Sequence, residues 1–135
     1  MTADTSNYRL LHAMLRVKDQ DKSIDFYSRH LGMKVLRQKD YPDGKFTNTF
    51  MGYGDETDHT VLELTYNWDQ EEPYSHGSGF GHLAVAVPDI YAACEAMEKE
   101  GVNIPRPPGP MKHGTTVIAF IEDPDGYKIE LIERS

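Results

Sequence analysis

The stretch His12-Ala-Met-Leu-Arg-Val-Lys-Asp19 decides the fold, because its pattern returns 70 positions later, from residue 12 to residue 82, as His82-Leu-Ala-Val-Ala-Val-Pro-Asp89. In both copies a histidine opens an apolar run typical of a β-strand, and an aspartate follows that run. Such self-similarity indicates that the chain contains two copies of one structural unit.

A helix is predicted after each aspartate. The first covers residues 19–31, with Asp19 or Asp21 as its N-cap and Gly32 as the residue that ends it. The second has Asp89 as its N-cap and is ended by Gly101. Its apolar stripe at helical spacing consists of Ile90, Ala93, Cys94 and Met97.

Strand-like segments, separated by Gly, Pro and Asp, follow each helix. In the first copy they are residues 34–39, 46–53 and 61–66, and in the second they are residues 102–105, 115–122 and 128–132. The turn Asp123-Pro124-Asp125-Gly126 predicts a hairpin between the last two strands. Each copy is thus a strand, a helix and further strands, an α+β unit whose apolar sheet face must be covered by the other unit or across a dimer.

One histidine and one glutamate stand at matching places of each copy. His12 and His82 open the first strands, and Glu63 and Glu130 lie within the apolar last strands. Repeat symmetry would bring these two imidazoles and two carboxylates to one cleft. Nitrogen and carboxylate ligands without sulfur suit nickel, cobalt, manganese, iron or zinc. The alternative is that each is an ordinary surface residue, which is the usual role of a Glu that alternates with Leu or Ile.

The two-residue period of a strand also predicts neighbours for these side chains. Arg16 would share a face with His12, and Asn67 would share a face with Glu63. The sequence therefore places a cation and an amide beside the candidate ligands.

Composition narrows the classes of function. The formal net charge of −8 argues against binding to nucleic acid, whose phosphates it would repel on balance. Cys94 is the only cysteine, so no intramolecular disulfide can form, and a reducing cytoplasm fits. The first residues lack the apolar run of an export signal, and no apolar run approaches the roughly 20 residues that cross a bilayer.

Several motifs resemble glyoxalase I of the vicinal-oxygen-chelate superfamily, and the resemblance extends over essentially Arg9 to Glu133. The matching segments are Arg9-Leu-Leu-His-Ala-Met-Leu-Arg-Val17, Ser23-Ile-Asp-Phe-Tyr27, Leu31-Gly-Met33, Glu63-Leu-Thr-Tyr-Asn-Trp68, Gly79-Phe-Gly-His82 and Ala119-Phe-Ile-Glu-Asp-Pro-Asp-Gly-Tyr-Lys-Ile-Glu130.

The resemblance implies a glyoxalase fold of two βαβββ modules with paired curved sheets, and a homodimer with its active sites at the subunit interface. Residues 9–135 would form one domain, with modules at 9–67 and 80–135 joined by a linker, and residues 1–8 would be a disordered tail. The family's metal ligands fall on His12, Glu63, His82 and Glu130. A histidine as first ligand and a short chain resemble the bacterial type, which prefers nickel or cobalt to zinc.

The resemblance also implies an activity. Family members isomerise the hemithioacetal of glutathione and methylglyoxal to S-lactoylglutathione by proton transfer through an enediolate, which makes them lyases that detoxify methylglyoxal. Glu130 would be the main base, and Glu63 would serve the opposite face of the substrate. Arg16 and Asn67 would bind the γ-glutamyl end of glutathione, and Lys112 would meet its glycyl carboxylate or would be simply a solvated loop lysine.

Three other functions remain open on this fold. They are a thiol transferase that modifies fosfomycin, an epimerase that acts on an acyl-CoA, and a metal-free dimer that binds drugs. The segment from Glu63 to Trp68 counts against the first two, and the presence of all four ligand types counts against the third.

Overall fold

The computed structural model describes residues 2–135 and divides into two compact units, the first ending at Glu72 and the second beginning at Pro73. The first unit contains β1 (His12–Val17), α1 (Gln20–Arg29), β2 (Lys34–Tyr41), β3 (Phe46–Gly52) and β4 (Val61–Asn67). The second contains β5 (Leu83–Val87), α2 (Ile90–Lys99), β6 (Arg106–Pro110), β7 (Val117–Glu122) and β8 (Lys128–Glu133).

Each unit forms one four-stranded sheet, and the two sheets have the same topology. The strand orders are β1-β4-β3-β2 and β5-β8-β7-β6. In both sheets the first strand pairs in parallel with the last, and the remaining pairs are antiparallel. The predicted α+β architecture of two βαβββ modules is therefore confirmed.

Alternation along β1 separates a core face from an open face. Leu15 and Val17 are buried, whereas His12, Met14 and Arg16 are exposed; Ala13, near the start of the strand, departs from the alternation and is exposed as well. From Met14 onwards this is the distribution that the two-residue period predicts, since burial of the aliphatic side chains fixes the direction of all the others.

Both helices begin and end where the sequence indicates. The carboxylate of Asp19 accepts a hydrogen bond from the Lys22 backbone N–H, and that of Asp89 accepts one from Ala92, so both are N-caps. Two glycines in the left-handed region end the helices: Gly32 at φ +70° and Gly101 at φ +83°.

The predicted hairpin between β7 and β8 is present. Asp123 is buried, and its carboxylate accepts hydrogen bonds from the backbone N–H groups of Asp125 and Tyr127, both at 2.9 Å. Gly126 has φ +85° and closes the turn onto the Asp123 carbonyl. The last two strands are thus locked together at this end of the sheet.

The prediction of a strand at residues 102–105 is wrong, because the strand lies at Arg106–Pro110. Its sequence contains three prolines and a glycine, which do not indicate a strand, since proline supplies no N–H for strand pairing. The segment is tolerated as the edge strand of its sheet, with a bulge between Arg106 and Gly109. The Arg106 guanidinium bonds the carbonyls of Gly109 and Ile118 across this irregular pairing.

Other element bounds differ from the predicted ones by only one or two residues. Within residues 2–135, neither helix combines the length and apolar character that crossing a membrane would require.

Candidate functional site

In the first unit, strand pairing brings His12 and Glu63 together. Parallel pairing of β1 with β4 sets Glu63 opposite Met14, one step along the open face from His12. The His12 Nε2 atom lies 2.9 Å from Glu63 Oε1. The carboxylate is largely sheltered, with 12% of its side chain exposed, while the imidazole is 36% exposed and faces outward.

The second unit repeats this pair in the same register. His82 immediately precedes β5, and Glu130 on β8 lies opposite Ala84, again two residues beyond the histidine. The His82 Nε2 atom lies 3.3 Å from Glu130 Oε1. The imidazole is 43% exposed and the carboxylate 18% exposed, so both units present a histidine backed by a shielded glutamate.

A phenylalanine supports each histidine, and neither was among the sequence-predicted site residues. Phe50 lies opposite Glu63 on β3, and Phe120 lies opposite Glu130 on β7. Their rings meet the imidazoles edge to face, with centroids 5.4 Å apart for His12 and 5.2 Å apart for His82. Such contacts restrict the orientation of the imidazole ring. The signal in the sequence was the repeat itself, since residues 50 and 120 share the offset of residues 12 and 82.

The two glutamates differ in what else holds them. In the first unit the Thr65 hydroxyl lies 3.0 Å from Glu63 Oε2 and 2.9 Å from the Asn48 side-chain oxygen. The positions that match Thr65 and Asn48 in the second unit are Ile132 and Ile118, which pair with each other. The two units therefore share the same backbone register, but in the part of the chain that the structure describes only Glu63 has a hydroxyl within hydrogen-bonding distance of its second oxygen.

Arg37 on β2 lies next to Phe50 in the first sheet, on the side away from Glu63. The Arg37 guanidinium lies over the Phe50 ring, 3.7 Å from its centroid, and pairs with Glu56 through Nε–Oε2 at 2.6 Å. Its hydrogen bonds hold the pKa of the Glu56 carboxyl below the ordinary value of 4.5. Arg37 is thereby fixed against the aromatic ring that supports His12.

Each His–Glu pair fits one half of a divalent-metal site. Two ligands about 2.1 Å from a metal ion and at right angles are about 3.0 Å apart, close to the separations of 2.9 Å and 3.3 Å. Imidazole nitrogen and carboxylate oxygen suit the divalent transition metals. Within residues 2–135, no group of three or more His, Cys, Asp or Glu side chains is arranged to hold a metal ion. A joint site of all four ligands stays a prediction.

The predicted substrate-binding residues occupy three different settings. Arg16 lies on the exposed face of β1 together with His12. Asn67 is half-buried at the end of β4, in line with Glu63. Lys112 is exposed in the loop between β6 and β7, which a Met111–Thr116 backbone hydrogen bond closes.

Comparison with known proteins extends the similarity along the whole fold. The chain is 64% identical over 126 residues to a lactoylglutathione lyase of Neisseria meningitidis, covering 93% of this chain and 91% of that protein. It is 55% identical to a lactoylglutathione lyase of Escherichia coli O157:H7, covering 93% of each.

Among solved structures, glyoxalase I from Zea mays superimposes with a TM-score of 0.89 at 50% identity, covering 94% of this chain. The chain spans 45% of that maize protein. The profile of the Glyoxalase/Bleomycin resistance protein/Dioxygenase superfamily matches residues 9–131. With the fold, the repeated His–Glu pairs and these relatives taken together, the chain belongs to that superfamily.

Proposed function

We propose that this chain is a cytoplasmic lactoylglutathione lyase, or glyoxalase I, that isomerises the glutathione–methylglyoxal hemithioacetal to S-lactoylglutathione. The observation that carries the proposal is the His–Glu pair repeated in one register in both units. Relatives that are 52–64% identical over most of the chain and are named lactoylglutathione lyase or probable lactoylglutathione lyase support the same activity. Removal of methylglyoxal would be its role in the cell.

We propose that His12, Glu63, His82 and Glu130 hold one divalent metal, with nickel first, cobalt next and zinc third. The donor set of two nitrogens and two carboxylates suits a divalent transition metal, and the order of preference rests on the resemblance to the bacterial type. When bound, the metal would supply a Lewis acid that stabilises negative charge on the two adjacent substrate oxygens.

We further propose a homodimer in which each site takes one His–Glu pair from either protomer. The open faces of β1 and β5 favour burial by a partner. Met14 is 39% exposed beside His12, and Ala84 and Ala86 are exposed at the matching positions of β5. Exposed apolar residues beside a sheltered carboxylate suit a site that closes when two copies meet.

Glu130 is assigned the transfer of the proton. Its carboxylate would accept the proton from the carbon that bears sulfur and return it to the neighbouring carbonyl carbon. The hydroxyl proton would pass to the oxygen of the former carbonyl, so that the former hydroxyl carbon becomes the thioester carbonyl and the former carbonyl carbon becomes the alcohol. Glu63 would face the opposite side of the substrate, so the two carboxylates bracket the reacting carbons.

Three residues are assigned to glutathione. Arg16 and Asn67 would bind the γ-glutamyl carboxylate, because a planar guanidinium matches a carboxylate with two parallel hydrogen bonds. Lys112 would meet the glycyl carboxylate from its exposed loop. Arg16 and Lys112 would supply the local positive charge that an anionic substrate needs on a chain whose net charge is −8.

The test is turnover after metal depletion. Chelated protein is mixed with methylglyoxal and glutathione, nickel, cobalt or zinc is added back separately, and thioester formation is followed by ultraviolet absorbance. We expect no turnover without metal and the greatest recovery with nickel. His12→Ala should abolish the recovery, whereas His59→Ala, which removes an exposed histidine paired with Asp58, should leave it intact. Absence of turnover with every metal would refute the assignment.

A further inference from the structure

The two carboxylates of the repeated pairs are held unequally. Glu63 contacts His12 through Oε1, and its other oxygen, Oε2, lies 3.0 Å from the Thr65 hydroxyl. In residues 2–135, the structure gives the Glu130 side chain one polar contact, with His82 at 3.3 Å. One carboxylate is therefore fixed at both oxygens and the other at a single oxygen.

The hydroxyl of Thr65 is itself fixed. Thr65 is 8% exposed and pairs across the sheet with Asn48, whose side-chain oxygen lies 2.9 Å from Thr65 Oγ1. A hydroxyl has one proton, and donating it to an ionised carboxylate gives the stronger hydrogen bond. The Asn48 carboxamide, after a half-turn that exchanges its oxygen and nitrogen, then donates to the Thr65 oxygen.

The second unit cannot form this arrangement. At the matching positions Ile132 follows Glu130 by two residues, and Ile118 lies opposite Ile132. Neither side chain has a hydrogen-bond donor. Since the backbone register of the two units agrees, the difference comes from side-chain chemistry and not from the course of the strands.

From this asymmetry we propose that Thr65, supported by Asn48, is a positioning residue that holds Glu63 in place as a ligand of the proposed metal, a support that Glu130 lacks. The inference rests on the proposed function, because it concerns ligands of the same metal. A hydrogen bond to one carboxylate oxygen restricts rotation of the group and keeps the other oxygen directed towards the metal. Glu130, without such a bond, can turn away from the metal at lower cost.

The decisive variant is Thr65→Val, which keeps the shape of the side chain and removes the hydroxyl. Thr49→Val is the matched control, because Thr49 is buried in the same sheet and its hydroxyl bonds Gln38 instead of Glu63. Thr65→Ser restores a hydroxyl, and Asn48→Ala removes the supporting amide in case the valine variant does not fold.

The primary readout is the nickel dissociation constant of purified full-length protein, measured in competition with a chromophoric chelator. Partners of metal ligands typically contribute 10–100-fold in affinity, so Thr65→Val should weaken nickel binding about tenfold or more. Asn48→Ala should weaken it by a smaller factor. The nickel dissociation constants of Thr65→Ser and Thr49→Val should stay within about twofold of the wild-type value, because both variants keep a hydroxyl beside Glu63.

The outcomes separate this inference from the proposed function. If the wild type binds nickel and turns over substrate while Thr65→Val binds nickel within twofold of it, the positioning role is refuted and the lyase assignment stands. The same holds if Thr49→Val weakens nickel binding as strongly as Thr65→Val. A wild-type protein that binds no divalent metal overturns the proposed function, and the inference falls with it.

Discussion

Replacing Glu130 by glutamine is the sharpest test of the proposed proton transfer. The neighbouring residues Ile129 and Leu131 are fully buried, so they hold β8 in place, and the amide has nearly the shape of the carboxylate. The substitution thus removes a base and a negative ligand while the strand is retained. A positioned general base contributes about 10²–10⁴-fold, and each tenfold step equals about 1.36 kcal/mol, so the activation free energy should rise by about 2.7–5.4 kcal/mol.

The assay measures kcat with nickel at saturating concentration, so that weaker metal binding does not enter the result. Glu133→Gln is the control on the same strand, because its carboxylate points to the other face and accepts a hydrogen bond from the Ile90 backbone N–H. We expect kcat of Glu130→Gln to fall by at least a hundredfold and kcat of Glu133→Gln to stay within twofold. A Glu130→Gln variant with near wild-type kcat would remove this residue from the role of base.

Three further substitutions have definite expected results. Arg16→Ala should raise the KM for the hemithioacetal with kcat largely retained, because ground-state anchoring is lost; a pure kcat effect in steady-state assays would contradict this. Asp123→Ala should lower the free energy of unfolding by about 2–4 kcal/mol in urea titration, since two charge-assisted hydrogen bonds to buried backbone are lost; a change below 0.5 kcal/mol would refute that role. Glu56→Gln should lower Tm above pH 4.5 but progressively less below it, because Arg37 depresses the folded-state pKa and that stability is lost as Glu56 is protonated; a pH-independent difference would be the contrary result.

The strict periods of strands and helices explain why much of this fold was predictable. Alternation placed His12 and Arg16 on one face because Leu15 and Val17 had to be buried, and Asp19 and Gly32 marked the limits of α1. These are local rules, and each depends on a few neighbouring residues.

Contacts between strands could not be predicted as well from the sequence. The pairing of β1 with β4 joins distant segments, and the 2.9 Å approach of His12 to Glu63 follows from that register. The role of Phe50 depends on strand pairing as well, because Phe50 on β3 contacts His12 on β1. Thr65 lies two residues from Glu63 on the same strand, and its contact depends on side-chain rotamers that the sequence does not define. The strand at Arg106–Pro110 was missed because edge position overrides the low strand propensity of proline.

The proposed function depends on joint binding of one divalent metal by His12, Glu63, His82 and Glu130. Its most direct test is a crystal structure of the nickel-loaded protein with anomalous data at the nickel absorption edge. We expect one anomalous peak per site, within about 2.0–2.3 Å of a nitrogen or oxygen of each of these four side chains. A peak bound by other residues, or four side chains without metal between them, would contradict it.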